Sequence, residues 1–580
     1  MSTTQVNPNA ARYSVVVEKD VFVRMRDGIH IAVDVYRPDA PGTFPTLYAV
    51  SPYQKDLAYL PAIPTFRFRE TGDIRWWVEQ GYVYVNADVR GSGKSTEGQW
   101  RLMSQSEQED LYDTIEWMAV QPWSNQKIGM IGESYYGWIQ WMAAAQQPPH
   151  LVCIAPYDAM VDVYRDALYH GGIASRDFVT WWTWDTRARM LLDQPGPHDC
   201  NMMIYDVIYE MLRHSTDGEF WRERSAYPKF QQIKTPFYSI GNWKSVGLHL
   251  RGNLLAFEQI DAPKKLLVNA ELPGYGGPAA AQRLFESPTV QEALLRWYDY
   301  WLKGIDNGVM DEPPVTLFIR HGEGYRQERE WPLARTEYRP LYLQQGPSGA
   351  VNSLNDGRLS WEPPEASEQV TLFHYPDPAW ELGTSAIGKA GLANQVKKLL
   401  TFTSDPLHED IEMTGPLVMK LWASSDQRDT DFFVKISDQV PAESMQVAQD
   451  LDVAPTAAMV TKGWLRASHR AIDAERSTPY RPFHTHQNPE PLQPGRIYQF
   501  EIEVWPTSWV FKQGHRIRLE LANGDSRAFD APFGHHYGLK MGTDTIYHDA
   551  EHPSHVLLPV IPKRACPRSC SIAGGSKQSA

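Results

Sequence analysis

The stretch running from Lys127-Ile128-Gly129-Met130-Ile131 through Gly132-Glu133-Ser134-Tyr135-Tyr136-Gly137 to Trp138 and on to Gln146 decides how the rest of the chain is read. Lys127 to Ile131 is a short apolar run of the kind that fills a buried strand, and Trp138 to Gln146 is helical in pattern. Between them a sharp turn carries Ser134 at its apex. Such a strand, turn and helix hold a hydroxyl clear of the sheet. The helix N-terminus and the N–H of Tyr135 then offer positive potential to a developing oxyanion. The second glycine lies one place later than in the common Gly-x-Ser-x-Gly form, and an ordinary strand-to-helix turn is the plain alternative for so short a motif.

Upstream of this turn, β-branched and aromatic runs alternate with helical patterns. Strands are expected at Val21 to Val23, Ile31 to Val35, Thr46 to Val50, Tyr82 to Asn86, Lys127 to Ile131 and Leu151 to Ile154. Ser106 and Glu109 have capping-box spacing, and Leu111, Ile115 and Met118 share a face, so a helix is expected from Ser106 to Val120. This alternation predicts an α/β fold with a mainly parallel sheet, and with the serine turn it predicts an α/β-hydrolase core. Between Val161 and about Gln232 the strand signal fades, and Trp181, Trp182, Trp184, Met190, Met202, Met203 and Met211 crowd into helix-like stretches. These read as an inserted helical cap, whose apolar side chains either line a substrate pocket or simply pack. The sheet pattern resumes at Phe237 to Ile240, Lys265 to Val268 and Val315 to Ile319, with a long helix from Ser287-Pro288 to Gly304. Period-2 alternation then takes over, as in Leu417, Met419, Leu421 and Ala423, and argues for an antiparallel sandwich or jelly roll. The expected organisation is a core of residues 1–160 and 232–335, a cap of 161–231, a β-sandwich of 336–562 and a disordered tail of 563–580.

Composition narrows the function. The 580 residues carry 70 Asp+Glu against 56 Lys+Arg, a net charge of −14, and no basic run long enough to neutralise a row of phosphates, which excludes nucleic acid as an expected partner. Neither a membrane-length apolar stretch nor a signal-peptide pattern occurs, and Cys153, Cys200, Cys566 and Cys570 are too scattered for a disulfide framework or zinc ribbon. A cytoplasmic protein with no cofactor and no metal is expected. Gly91-Ser92-Gly93-Lys94-Ser95 resembles the end of a P-loop, but Asp88 stands where its first glycine belongs. Gly274-Tyr275-Gly276 reads as a turn rather than a dinucleotide fingerprint. His484, His486, His535 and His536 lack the Cys or carboxylate companions of a metal shell.

Gly132-Glu133-Ser134-Tyr135-Tyr136-Gly137 with Gln140-Trp141 is similar to a motif of the cocaine-esterase/X-Pro dipeptidyl-peptidase (CocE/NonD) hydrolase family. Met25-Arg26-Asp27-Gly28, Ser51-Pro52-Tyr53-Gln54-Lys55 and Asp88-Val89-Arg90-Gly91-Ser92-Gly93 resemble others. The likeness extends through Trp123-Ser124 and Gly241-Asn242-Trp243 to Thr507-Ser508 and Gly514-His515-Arg516, nearly the whole chain. It implies an α/β-hydrolase core, an inserted cap and a C-terminal jelly-roll, galactose-binding-like β-sandwich. It also implies Ser134 as the nucleophile, with the Tyr53 hydroxyl and the Tyr135 N–H as oxyanion donors.

Two positions break the pattern. The family's acid falls on Ser245, and its histidine belongs in the loop from Asn269 to Gly277, yet no histidine occurs between Leu250 and Arg320. A serine without a base is a weak nucleophile. Three residues can be weighed as substitutes: His249, otherwise a structural helix residue; Lys244, if burial lowers its pKa; and Glu271, as a carboxylate base. The expected function is a serine-nucleophile hydrolase acting on an ester, amide or other acyl centre of a bulky apolar small molecule, with homodimer formation left open. The alternatives are a repurposed fold catalysing a cyclisation, isomerisation or elimination in specialised metabolism, and a catalytically dead binding protein.

Overall fold

Among the described residues, ten strands of the N-terminal half make one sheet, whose inner runs, such as Val83–Asp88, are buried on both faces. In chain order they are β1 (Val15–Arg24), β2 (His30–Pro38), β3 (Phe44–Ser51), β4 (Val83–Asp88), β5 (Ser124–Glu133) and β6 (Leu151–Tyr157). A two-stranded hairpin, β7 (Tyr169–His170) and β8 (Ile173–Ala174), lies outside the sheet, which continues with β9 (Phe237–Asn242), β10 (Lys264–Asn269), β11 (Val315–Ile319) and β12 (Gly324–Glu328). The computed structural model describes residues 13–56, 70–191, 205–270, 287–346, 357–365, 367–375, 400–441, 457–525, 534–535 and 541–563. Glu271, most of the loop expected to hold the family's histidine, and nearly all of the expected C-terminal tail lie outside these residues. Strand order is β1-β2-β4-β3-β5-β6-β9-β10-β11-β12, parallel from β4 to β11 and antiparallel at both edges. This is the α/β-hydrolase sheet, with β5 central.

The helix expected from Ser106 spans Gln105–Ala119, and its N-cap is Ser104, whose hydroxyl accepts from the Glu107 N–H. The sequence contains two overlapping Ser-x-x-Glu patterns, and the structure uses the earlier one. Leu111, Ile115 and Met118 are buried, as the periodicity requires. The later helix runs Pro288–Lys303 and stops at Gly304, which takes the left-handed φ of 71°.

Between β6 and β9 the described chain is mainly helical: a π-helical turn at Tyr164–Leu168, then helices Asp177–Leu191, Val207–Arg213 and Glu219–Glu223. The β7–β8 hairpin is the strand pairing that the sequence pattern did not reveal. Among the described residues, the second half of the chain supplies eleven strands in one sheet that closes on itself where Ile411–Ser425 pairs with His555–Ile561, giving the expected sandwich with a single ring of hydrogen bonds. One pairing, Gly357–Ser360 with Leu400–Ser404, is parallel within this otherwise antiparallel sheet.

The sandwich grips the helical segment. Arg165 is buried, pairs with Asp162 and Asp217, and donates to the carbonyl of His484. The N–H groups of Arg176 and Asp177, at the start of a helix, both donate to the carbonyl of Gly534. Among the described residues no helix is long and apolar enough to cross a membrane.

Candidate active site

β5 ends at Glu133 and the helix Tyr135–Gln146 begins two residues on, so Ser134 alone must make the whole turn. It does so at φ 62° and ψ −115°, a backbone conformation costly for a residue with a Cβ and concentrated at functional sites. Two glycines make room. A Cβ on Gly132, itself at φ 140°, would lie 2.2 Å from the Cβ of Tyr136, and one on Gly137 would lie 2.6 Å from the carbonyl oxygen of Tyr157. The late second glycine therefore serves close packing of the helix on β6.

The turn of chain after β9 brings a candidate base. His249 precedes the helix Leu250–Gln259, is buried, and places Nε2 3.2 Å from the Ser134 hydroxyl oxygen. Among the described residues no other side chain is hydrogen-bonded to that hydroxyl. Burial pushes the His249 pKa down to about 3, so the ring is neutral at ordinary pH and has a lone pair to offer. Lys244 is exposed to solvent and makes no hydrogen bond to Ser134. Its backbone N–H caps onto Asn242 Oδ1. Ser245, at the position of the missing acid, donates to Asp158 Oδ2 at 2.7 Å.

Tyr53 follows β3 and packs edge-on against Tyr135, ring centroids 6.0 Å apart. Its hydroxyl oxygen accepts from the indole N–H of Trp182 at 2.8 Å. The Tyr135 hydroxyl is tied back to Glu107 at 2.5 Å, which leaves the backbone N–H as the part of this residue suited to an oxyanion. Trp182 also stacks on the Tyr135 ring at 13° and 6.4 Å. Trp182 and Asp158 were not singled out from sequence: one was lost among neighbouring tryptophans, and the other is an isolated aspartate after a strand.

A narrow apolar pocket opens at Ser134. Its walls include Leu102, Trp138, Met160, Phe178, Val179 and Trp182, and among the described residues no charged side chain lines it. The helical segment's aromatic residues thus divide: Phe178 and Trp182 face the pocket, whereas Trp181 and Trp184 are exposed.

The other motifs resolve into internal structure. The Asp88 carboxylate accepts from the backbone N–H groups of Lys55 and Lys94, so the P-loop-like turn wraps the chain's own anion. Lys55 is buried against Asp34 and Asp20, and Arg90 makes a two-pronged pair with Asp110. His484 and His486 stack on each other, and His535 bonds Asp525 and His170.

A strained serine turn on a mainly parallel sheet, with an imidazole on its hydroxyl, defines a serine hydrolase of the α/β-hydrolase class. Residues 27–271 match the X-Pro dipeptidyl-peptidase (S15) family and residues 307–557 match the X-Pro dipeptidyl-peptidase C-terminal non-catalytic domain. The chain is 29% identical to a cocaine esterase of Rhodococcus sp. (strain MB1 Bresler), over 94% of this chain and 98% of that one. It is 26% identical to a putative serine esterase of Mycobacterium bovis, over 95% and 96%. A CocE/NonD family hydrolase from Staphylococcus aureus superposes with a TM-score of 0.77 at 26% identity, covering 94% of each chain. The chain belongs to the CocE/NonD, X-Pro dipeptidyl-peptidase-like hydrolase family.

Proposed function

We propose that the protein hydrolyses esters of uncharged, apolar acyl groups, with Ser134 as nucleophile, His249 as base, and the Tyr53 hydroxyl and Tyr135 N–H as oxyanion donors. The observation that carries this reading is the 3.2 Å contact between His249 Nε2 and the Ser134 hydroxyl at the apex of the strained turn. The Ser134 oxygen attacks the acyl carbon as its proton passes to Nε2. The carbonyl oxygen, now negative, is met by the two donors. His249 returns the proton to the departing alkoxide, the C–O bond breaks, and water repeats the sequence on the acyl-serine with His249 again as base.

The apolar pocket supports the substrate class, because a charged acyl group would be desolvated there without a partner among the described lining residues. The esterase names of the Rhodococcus and Mycobacterium bovis relatives point the same way. The test is labelling by a fluorophosphonate probe together with hydrolysis of p-nitrophenyl butyrate. Both are expected in the parent and absent in Ser134→Ala. Hydrolysis that persists at the parent rate in Ser134→Ala sinks the reading.

A further inference from the structure

We infer that Asp158 is a positioning residue that holds the Ser134 turn and the His249 turn in register, a task made necessary by the serine at position 245. The inference rests on the proposed roles of Ser134 and His249.

Asp158 is the first residue after β6, between the strands that carry nucleophile and base. Its backbone carbonyl accepts the Ser134 N–H at 3.2 Å, sharing it with the carbonyl of Tyr157 at 3.0 Å. Its own N–H donates to the carbonyl of Ile240 in β9 at 2.7 Å. Its carboxylate accepts the Ser245 hydroxyl at 2.7 Å. Ser245 in turn accepts the His249 N–H on its backbone carbonyl at 3.2 Å. One side chain and its peptide groups therefore span the route from the nucleophile's backbone to the base's backbone in three hydrogen bonds.

The position bears costs that packing alone does not explain. Asp158 sits at φ 39°, in the left-handed region, although it has a Cβ. Its carboxylate is fully buried, next to the buried Glu133, and burial raises its pKa. Oδ1 has no hydrogen-bond partner among the described residues. Strain and an incompletely bonded buried acid are features that concentrate where a site's geometry is being held. A misplacement of about 1 Å between nucleophile and base can cost ~100-fold in rate, so a clamp of this kind has a large effect to protect.

The experiment uses the full chain and the variants Ser245→Ala, Asp158→Ala and Asp158→Asn. For each, the rate constant for fluorophosphonate labelling is measured with kcat and KM on p-nitrophenyl butyrate and the thermal midpoint. Ser245→Ala and Asp158→Ala are expected to lower kcat and the labelling rate by about tenfold or more, with KM within about twofold. Asp158→Asn keeps an acceptor oxygen for Ser245 and is expected to recover most of that loss. Ser245→Ala removes one buried oxygen and keeps the test open where Asp158→Ala does not fold. A parent enzyme that the probe does not label overturns the serine-hydrolase reading itself. A labelled parent whose Ser245→Ala variant stays within twofold in kcat and labelling overturns the inference alone. Equal losses in Asp158→Asn and Asp158→Ala, or a KM that rises in step with the loss of kcat, also overturn it.

Discussion

Replacing Trp182 by Phe isolates one hydrogen bond. The indole N–H can only donate, so its 2.8 Å contact fixes the Tyr53 oxygen as acceptor and directs the phenol's own proton elsewhere. Phe keeps an apolar ring over Tyr135 and removes this donor. A neutral hydrogen bond contributes about 0.5–1.5 kcal/mol, which at about 1.4 kcal/mol per tenfold is roughly a 2- to 12-fold fall in kcat/KM. Tyr53→Phe removes the oxyanion donor itself and is expected to cost about 100-fold or more. The decisive measurement is the double-mutant cycle on p-nitrophenyl butyrate. Shrinking the ring at position 182 should cost the same in either background, whereas the lost hydrogen bond matters only where the Tyr53 hydroxyl is present. The expected coupling is about 1 kcal/mol, with Trp182→Phe nearly silent in the Tyr53→Phe background. Equal losses in both backgrounds would refute the reasoning and reduce Trp182 to a piece of pocket wall.

Three other outcomes are expected. His249→Ala should lower kcat by about 100-fold or more, since a positioned base contributes roughly 10²–10⁴, and the residue of activity that the oxyanion donors sustain should be measurable by steady-state kinetics. His249 has a folded pKa of about 3 against an ordinary 6.5, so below pH 6.5 the unfolded chain takes up a proton that the folded chain does not. Stability present at pH 7 is therefore lost on acidification, by about 3 kcal/mol from this group by pH 4, and urea titrations of His249→Ala should show a correspondingly shallower pH dependence. Gly132→Ala places a Cβ 2.2 Å from that of Tyr136 at φ 140°, and should lower stability by more than about 2 kcal/mol in a thermal melt.

The sheet was legible because its strands are buried on both faces and announce themselves as apolar runs; six of the expected early segments fall within or at the edge of observed strands. The cap of the helix at Gln105 was not, since Ser104 and Ser106 each precede a glutamate by three residues and the choice between them depends on how the preceding loop arrives. Ser134 was legible from local spacing, whereas His249 was only one of three candidates, because the two lie 115 positions apart and meet through strand pairings that local pattern does not encode. The pairing of Ser245 with Asp158 could not be read at all: each lies just beyond its own strand, and their adjacency is a property of β6 lying beside β9.

The anchoring of Arg176 and Asp177 on the carbonyl of Gly534 bears on how the enzyme comes into being. Phe178 and Val179, which wall the pocket, follow that anchor directly, so the pocket is held by a residue made near the end of synthesis. At about 5–20 residues per second, roughly 10–40 s separate completion of the first sheet from arrival of Gly534. During that interval the nascent chain already owns its serine and histidine but lacks the fastening of its substrate wall. The fastening of the pocket wall thus arrives with the last tenth of the polypeptide, and a chain cut short before Gly534 carries Ser134 and His249 but lacks the carbonyl on which Arg176 and Asp177 dock.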